Sequence, residues 1–135
     1  MLFQSTHLVA IGVAMSNLVF ITGGSGHIGS RVIVDALGTG YSVRAAVRSQ
    51  EKADKILSMH PVKAINPGEK LEFVIVPDLL MDGAYDKALK GATYAIHVAS
   101  PISEAHKEGM SFETTFIDPA VKGTCLLYTS DAADE

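Results

Sequence analysis

Eight residues, Thr22-Gly23-Gly24-Ser25-Gly26-His27-Ile28-Gly29, have the types and spacing to cradle a phosphate. They follow an apolar run, Asn17-Leu18-Val19-Phe20-Ile21, and lead into a helical pattern that opens near Ile28. Strand, glycine turn and helix in that order hold a dinucleotide pyrophosphate. Gly23 permits the tight turn off the strand. Gly26 lets backbone N–H groups approach the phosphates because no Cβ intervenes, and Gly29 lets the helix pack closely on the strand. The anion then sits at a helix N-terminus, where unpaired N–H groups and the helix dipole favour negative charge. The spacing is Gly-x-x-Gly-x-x-Gly rather than the Gly-x-Gly-x-x-Gly of many dehydrogenases. A turn of purely structural purpose is the competing reading. A second strand at the right distance argues against it.

That second strand reads Tyr41-Ser42-Val43-Arg44-Ala45-Ala46-Val47-Arg48, and its end lies 19 residues past Gly29. A cofactor-selecting residue is expected there. A carboxylate would accept hydrogen bonds from a ribose 2′-hydroxyl and repel a 2′-phosphate; an arginine pairs with the phosphate. Arg48 holds the position, no acid comes before Glu51, and Lys52 and Lys55 follow. NADP is therefore expected over NAD. The plainer alternative is a solvated loop arginine.

The elements that must position these residues alternate strand and helix, which predicts a parallel sheet with helices on both faces. In the first helix Ile28, Val32 and Ala36 share one line and Ile33 and Leu37 the next, with Gly38 and Gly40 ending it. Ser49 is placed to cap a second helix, with Glu51 in its first turn and Ile56 and Met59 on its buried side. Residues 61–68 read as a loop with a turn at Pro67-Gly68. Leu71–Val76 is a third strand. Asp82 is expected to cap a short helix over residues 84–90, closed by Gly91. Thr93–Val98 is a fourth strand, and a further helix is expected to open with Asp118 as cap and Pro119 first. Right-handed crossovers give an α/β, Rossmann-type doubly wound sheet, truncated, of strand order 3-2-1-4.

Composition excludes several classes. The net charge of −4 offers no basis for nucleic acid or an anionic membrane surface. The five histidines, at 7, 27, 60, 97 and 106, lack ligand spacing, and the one cysteine, Cys125, supports neither a disulfide framework nor a cysteine metal site. No metal is expected. His97 reads as a strand-end histidine held by core hydrogen bonds. The apolar stretch Leu8–Met15 is too short to span a bilayer and lacks the basic flank of a signal peptide. Residues 1–14 are read as an extra or disordered arm, and residues 15–124 as part of an NADP-binding domain in a cytoplasmic protein. Residues 125–135, Cys-Leu-Leu-Tyr-Thr-Ser-Asp-Ala-Ala-Asp-Glu, resemble the translation of a transposon-end adapter used in sequencing libraries. They are expected not to be natural protein and are set aside in the reading of the fold, with the natural protein continuing past Thr124. Without the three acids of that tail the charge is −1.

Taken together, the glycine turn, Val47-Arg48, Pro77-Asp78-Leu79 and His97-Val98-Ala99-Ser100-Pro101 resemble the extended short-chain dehydrogenase/reductase superfamily of epimerases and dehydratases. Within it the chain is similar to the dihydroflavonol reductase-like branch, especially the fungal and yeast-type NADPH-dependent aldehyde, ketone and methylglyoxal reductases. Val47-Arg48-Ser49-Gln50-Glu51-Lys52-Ala53 and Pro119-Ala120-Val121-Lys122-Gly123-Thr124 are similar to that group. The resemblance covers residues 17–124. It implies that Gly23, Gly26 and Gly29 form the pyrophosphate turn, with a hydroxyl from Ser25 and with His27 and Ile28 opening the helix beside it. His27 departs from the usual aromatic; a place near the pyrophosphate and a place in solvent both stay open. The resemblance further implies that Arg48, assisted by Lys55, meets the 2′-phosphate. Asp78 and Leu79 would then contact adenine, unless Asp78 is a cap or loop acid, and Ala99, Ser100 and Pro101 would leave room beside the nicotinamide ribose.

The chemistry of that family uses a Tyr-x-x-x-Lys pair, in which the tyrosine gives a proton to the carbonyl oxygen as hydride arrives at carbon. None occurs here: Tyr41, Tyr85, Tyr94 and Tyr128 are followed four residues later by Ala45, Leu89, Val98 and Ala132. The expected function is the NADP(H)-binding half of a reductase acting on small-molecule carbonyl substrates, inactive as this segment alone. The alternatives are a nucleotide-sugar epimerase or dehydratase, which Arg48 disfavours, and a non-catalytic NADP-binding regulator.

Overall fold

The computed structural model describes residues 17–100, 109 and 111–130. The expected N-terminal arm, Pro101 and the last five residues of the expected tail lie outside the described residues. Strand β1 (Leu18–Thr22) leads into helix α1 (His27–Gly38), followed by β2 (Ser42–Val47), α2 (Gln50–Ser58), α3 (His60–Ile65), β3 (Leu71–Ile75), β4 (Tyr94–His97) and α4 (Asp118–Tyr128). The strands are parallel, in the order β3-β2-β1-β4. This is the α/β, Rossmann-type sheet and strand order that the alternating pattern implies. The register pairs Thr22 with Ala46 on one side and with His97 on the other, and Val47 with Ile75. All four carboxyl ends therefore open at one edge of the sheet.

Side chains alternate between two faces. On one face Ile21, Val43, Ala45, Val47 and Leu71 pack with Ile33 and Leu37 of α1, Ala53 and Ile56 of α2 and Val62 of α3. On the other, Phe20, Ala46 and Val76 meet Tyr85, Ala88 and Leu89, with Leu126 and Leu127 of α4 against them. The Phe20 and Tyr85 rings meet edge to face at 6.2 Å. The Tyr85 hydroxyl is buried with no hydrogen-bond partner among the described residues.

Four local expectations fail, each for a definable reason. Residues 61–65, expected as part of a loop over 61–68, belong to α3, because Pro61 falls in the first turn, where its missing N–H is not needed. Asn66 ends that helix in the left-handed region, at φ 49°. Residues 84–90 do not form a helix. They run as successive turns between Gly83 (φ 75°) and Gly91 (φ 76°). Arg44 of β2 holds this segment: its guanidinium donates to Glu72 at 2.6 Å and to the carbonyls of Ala88 (2.9 Å) and Lys90 (2.6 Å). Asp78 rather than Asp82 caps locally, its Oδ1 accepting from Leu80 N–H at 2.8 Å. The last helical run does not open at Asp118 but already turns from Phe112, with a π-helical stretch over Glu113–Ile117. Pro119 has no N–H for the Thr115 carbonyl, and its ring needs extra room there, so the wider turn fits. Ser49 does occupy the N-cap of α2, yet its carbonyl rather than its hydroxyl accepts, from Lys52 and Ala53 N–H.

Candidate functional site

At the carboxyl edge, β1 ends in Thr22, which is wholly buried. The chain reverses at Gly23 with φ 74°, and Gly26 N–H closes the turn on the Gly23 carbonyl at 3.1 Å. Two glycines meet fixed backbone where a side chain would stand, and a third, Gly24, meets the end of a side chain that would have to shift. A Cβ on Gly23 would stand 2.7 Å from Ala99 N. One on Gly24 would stand 2.7 Å from Ile33 Cδ1, and one on Gly29 would strike the Gly23 carbonyl. Gly24 is a position that sequence reasoning passed over; its only signal is that it doubles Gly23. Gly26 is exposed and less confined, at 3.3 Å from the Gly23 carbonyl oxygen.

Gly26 is the N-cap of α1 and brings no capping side chain, and no acid stands in the first turn. The first bond in the helix is Ser30 N–H to Gly26 O, at 3.0 Å. The N–H groups of His27, Ile28 and Gly29 are left without partners among the described residues, as the opening of a helix dictates. An anion is the natural complement of such an end. Ser25 is half-buried in the turn, while His27 and Ile28 are exposed. Both line a hollow of about 460 Å³, together with Met59 and Pro61.

Thr22 is the second residue that sequence reasoning missed. Its Oγ1 lies 2.7 Å from His97 Nδ1 and accepts from Ala99 N–H at 3.2 Å, while its carbonyl accepts from Val98 N–H at 3.3 Å. These links close β4 onto β1 directly behind the glycine turn. Burial holds the His97 imidazole below its ordinary 6.5, so it is neutral at pH 7.

The remaining predicted residues flank this centre in register order. Arg48 directly follows β2; it is exposed and has no partner among the described residues. Lys55 is exposed on α2. Asp78, beyond β3, spends one carboxylate oxygen on Leu80 N–H, and Leu79 is half-buried against the second core cluster. Ala99 abuts Gly23, and Ser100 is exposed beside it. Parallel topology brings Gly23, Arg48, Asp78 and Ala99 to one edge, with neighbouring strands about 4.8 Å apart. Among the described residues no group of three or more His, Cys, Asp or Glu side chains could hold a metal. No described helix is long and apolar enough to cross a membrane.

The chain is similar in sequence and fold to known proteins. The chain is 46% identical over 110 residues to the NAD-dependent epimerase/dehydratase ALT6 of Alternaria alternata, covering 79% of this chain and 30% of that protein. It is 39% identical to the ketoreductase CTB6 of Cercospora nicotianae, covering 80% of this chain and 30% of that protein. Among solved structures, Gre2 of Candida albicans in complex with NADPH superposes with a TM-score of 0.69 at 32% identity, covering 84% of this chain and 32% of that one. The chain thus spans about a third of the length of the proteins it matches. Residues 19–130 match the NAD dependent epimerase/dehydratase family, and with that match the glycine turn, the sheet order and the reductase relatives have one explanation: the chain belongs to that family.

Proposed function

We propose that residues 15–124 are the NADP(H)-binding part of a reductase that delivers hydride from NADPH to an aldehyde or ketone. The observation that carries this reading is the pairing, on one sheet edge, of an uncapped α1 N-terminus with an Arg48 that has no partner among the described residues. Three free N–H groups beside a side-chain-free Gly26 leave space and positive potential for a diphosphate. A guanidinium at the end of β2 suits a 2′-phosphate, which an acid there would repel. When bound, NADPH supplies the hydride. The protein's part is to fix the cofactor: Ser25, His27 and Ile28 at the diphosphate, Arg48 and Lys55 at the 2′-phosphate. Leu79 and the free oxygen of Asp78 would contact adenine, and the small residues Ala99 and Ser100 would leave room at the nicotinamide ribose, a role also assigned to Pro101, which lies outside the described residues. Relatives named ketoreductase and a structural neighbour solved with NADPH support the reading.

The proton donor is assigned to a Tyr-x-x-x-Lys pair that these 135 residues lack. The segment alone is therefore inactive, and residues 125–135 are adapter-derived. The whole protein acts in the cytoplasm. Reading the source transcript past Gly123 tests the adapter origin and the reductase parent: a frame that continues into Tyr-x-x-x-Lys supports them, and a genomic stop after Glu135 refutes both. Fluorescence titration of the full-length protein with NADPH and NADH tests the cofactor. NADPH is expected to bind at least tenfold tighter; equal or tighter NADH binding refutes the assignment.

A further inference from the structure

We propose that His97 is a positioning residue for the nucleotide-binding turn, its Nδ1 fixing the Thr22 hydroxyl so that Thr22 Oγ1 receives the Ala99 N–H and holds the loop after β4 against Gly23. The inference rests on the cofactor reading above and adds to it a residue that would touch no part of the cofactor.

Thr22 is wholly buried, so its hydroxyl hydrogen has no solvent to turn to. Its oxygen already accepts from Ala99 N–H at 3.2 Å, and Nδ1 of His97 lies 2.7 Å away. Only one assignment uses both hydrogens: Ala99 N–H donates to Oγ1, and the hydroxyl donates to an unprotonated Nδ1. The imidazole then carries its proton on Nε2, consistent with the neutral form that burial favours. A histidine beside a hydroxyl also suggests an activated nucleophile. The complete burial of Thr22 excludes that role, because no substrate reaches the oxygen.

The tie acts where there is no slack. A Cβ on Gly23 would stand 2.7 Å from Ala99 N and 2.9 Å from Val98 C, so the turn and the loop are in backbone contact. Displacing the Ala99 amide displaces the wall of the turn whose next residues present the free N–H groups. His97 thereby couples the end of β4 to the opening of α1 through one side chain of β1.

The test uses the full-length protein in two measurements. Urea unfolding of Thr22→Val, His97→Leu and the double variant needs no cofactor. Each single change is expected to raise the unfolding constant about tenfold, and the double change to add little more, because the two side chains share one interaction. Full additivity would overturn the tie. NADPH affinity is then expected to fall about tenfold in His97→Leu and to return to within about threefold in His97→Asn, whose amide oxygen stands near the place of Nδ1. A His97→Leu variant that binds NADPH like the parent would overturn the role. So would a His97→Asn variant that unfolds like the parent yet binds as weakly as His97→Leu. Failure of the unaltered protein to bind either cofactor would refute the cofactor reading and with it this role at the turn, while the urea cycle separately decides the Thr22–His97 link.

Discussion

Replacing Gly23 by alanine separates backbone strain from crowding at the centre of the site. The residue has φ 74°, where an L side chain costs about 1–2 kcal/mol. The new Cβ would also stand 2.7 Å from Ala99 N, so that amide must retreat by about 0.7 Å to reach an ordinary 3.4 Å contact. The bonds from Ala99 and Val98 N–H to Thr22 already measure 3.2 and 3.3 Å, and such a shift breaks both. Each contributes about 0.5–1.5 kcal/mol net. The sum is about 2–5 kcal/mol. Gly40→Ala isolates the first contribution: φ is 96°, yet nothing lies within 4 Å of its Cβ, so about 1–2 kcal/mol is expected. Gly38→Ala, at an ordinary φ with nothing within 4 Å, should be neutral or stabilise by up to about 1 kcal/mol. Urea titration of the three variants in the full-length protein ranks them, and NADPH titration of Gly23→Ala should show weakened binding. If Gly23→Ala is no worse than Gly40→Ala, the turn is not in tight contact with the β4 loop and the reasoning fails.

Arg48→Ala should weaken NADPH binding about 10- to 100-fold, leave NADH binding within about twofold, and leave the melting temperature unchanged, since Arg48 has no partner to lose among the described residues. Equal loss for both cofactors would refute a 2′-phosphate role. Tyr85→Phe removes a buried hydroxyl without a described partner and should leave stability unchanged or raise it by up to about 1 kcal/mol; a loss above about 1 kcal/mol in urea would reveal a partner. Because burial lowers the His97 pKa, the unfolded chain binds more protons between the folded value and 6.5, and stability falls as pH drops through that window. The loss between pH 7.5 and 5.5 should be smaller in His97→Asn; an equal loss would contradict the assignment.

The sheet was legible because its strands are short, apolar and separated by glycine, and because parallel crossovers leave few topologies once strand meets helix in alternation. The glycine turn was legible for the same local reason. What escaped depends on contacts across the sequence. Thr22 looks like any strand-end threonine until β4, 75 residues away, brings His97 to it. Gly24 differs from a dispensable glycine only through the Ile33 side chain packed over it. Pro61 punctuates a loop and opens a helix equally well, and the choice fell to the burial of Val62. Residues 84–90 carry helix-forming residues, yet the left-handed glycines at both ends and the pull of Arg44 settled them as turns.

Arg44 also bears on how this sequence is free to change. The stretch between β3 and β4 is fastened to the sheet through the carbonyls of Ala88 and Lys90, and carbonyls belong to the backbone, whatever side chains the segment carries. Drift in those side chains leaves the fastening intact as long as the buried contacts of Tyr85, Ala88 and Leu89 are kept. The constraint falls on one guanidinium in a neighbouring strand. A lysine there would reach as a single point charge and lacks the separate Nε and Nη1 donors that meet Glu72 and the two carbonyls. Selection on the shape of this connection therefore acts largely at a position outside it.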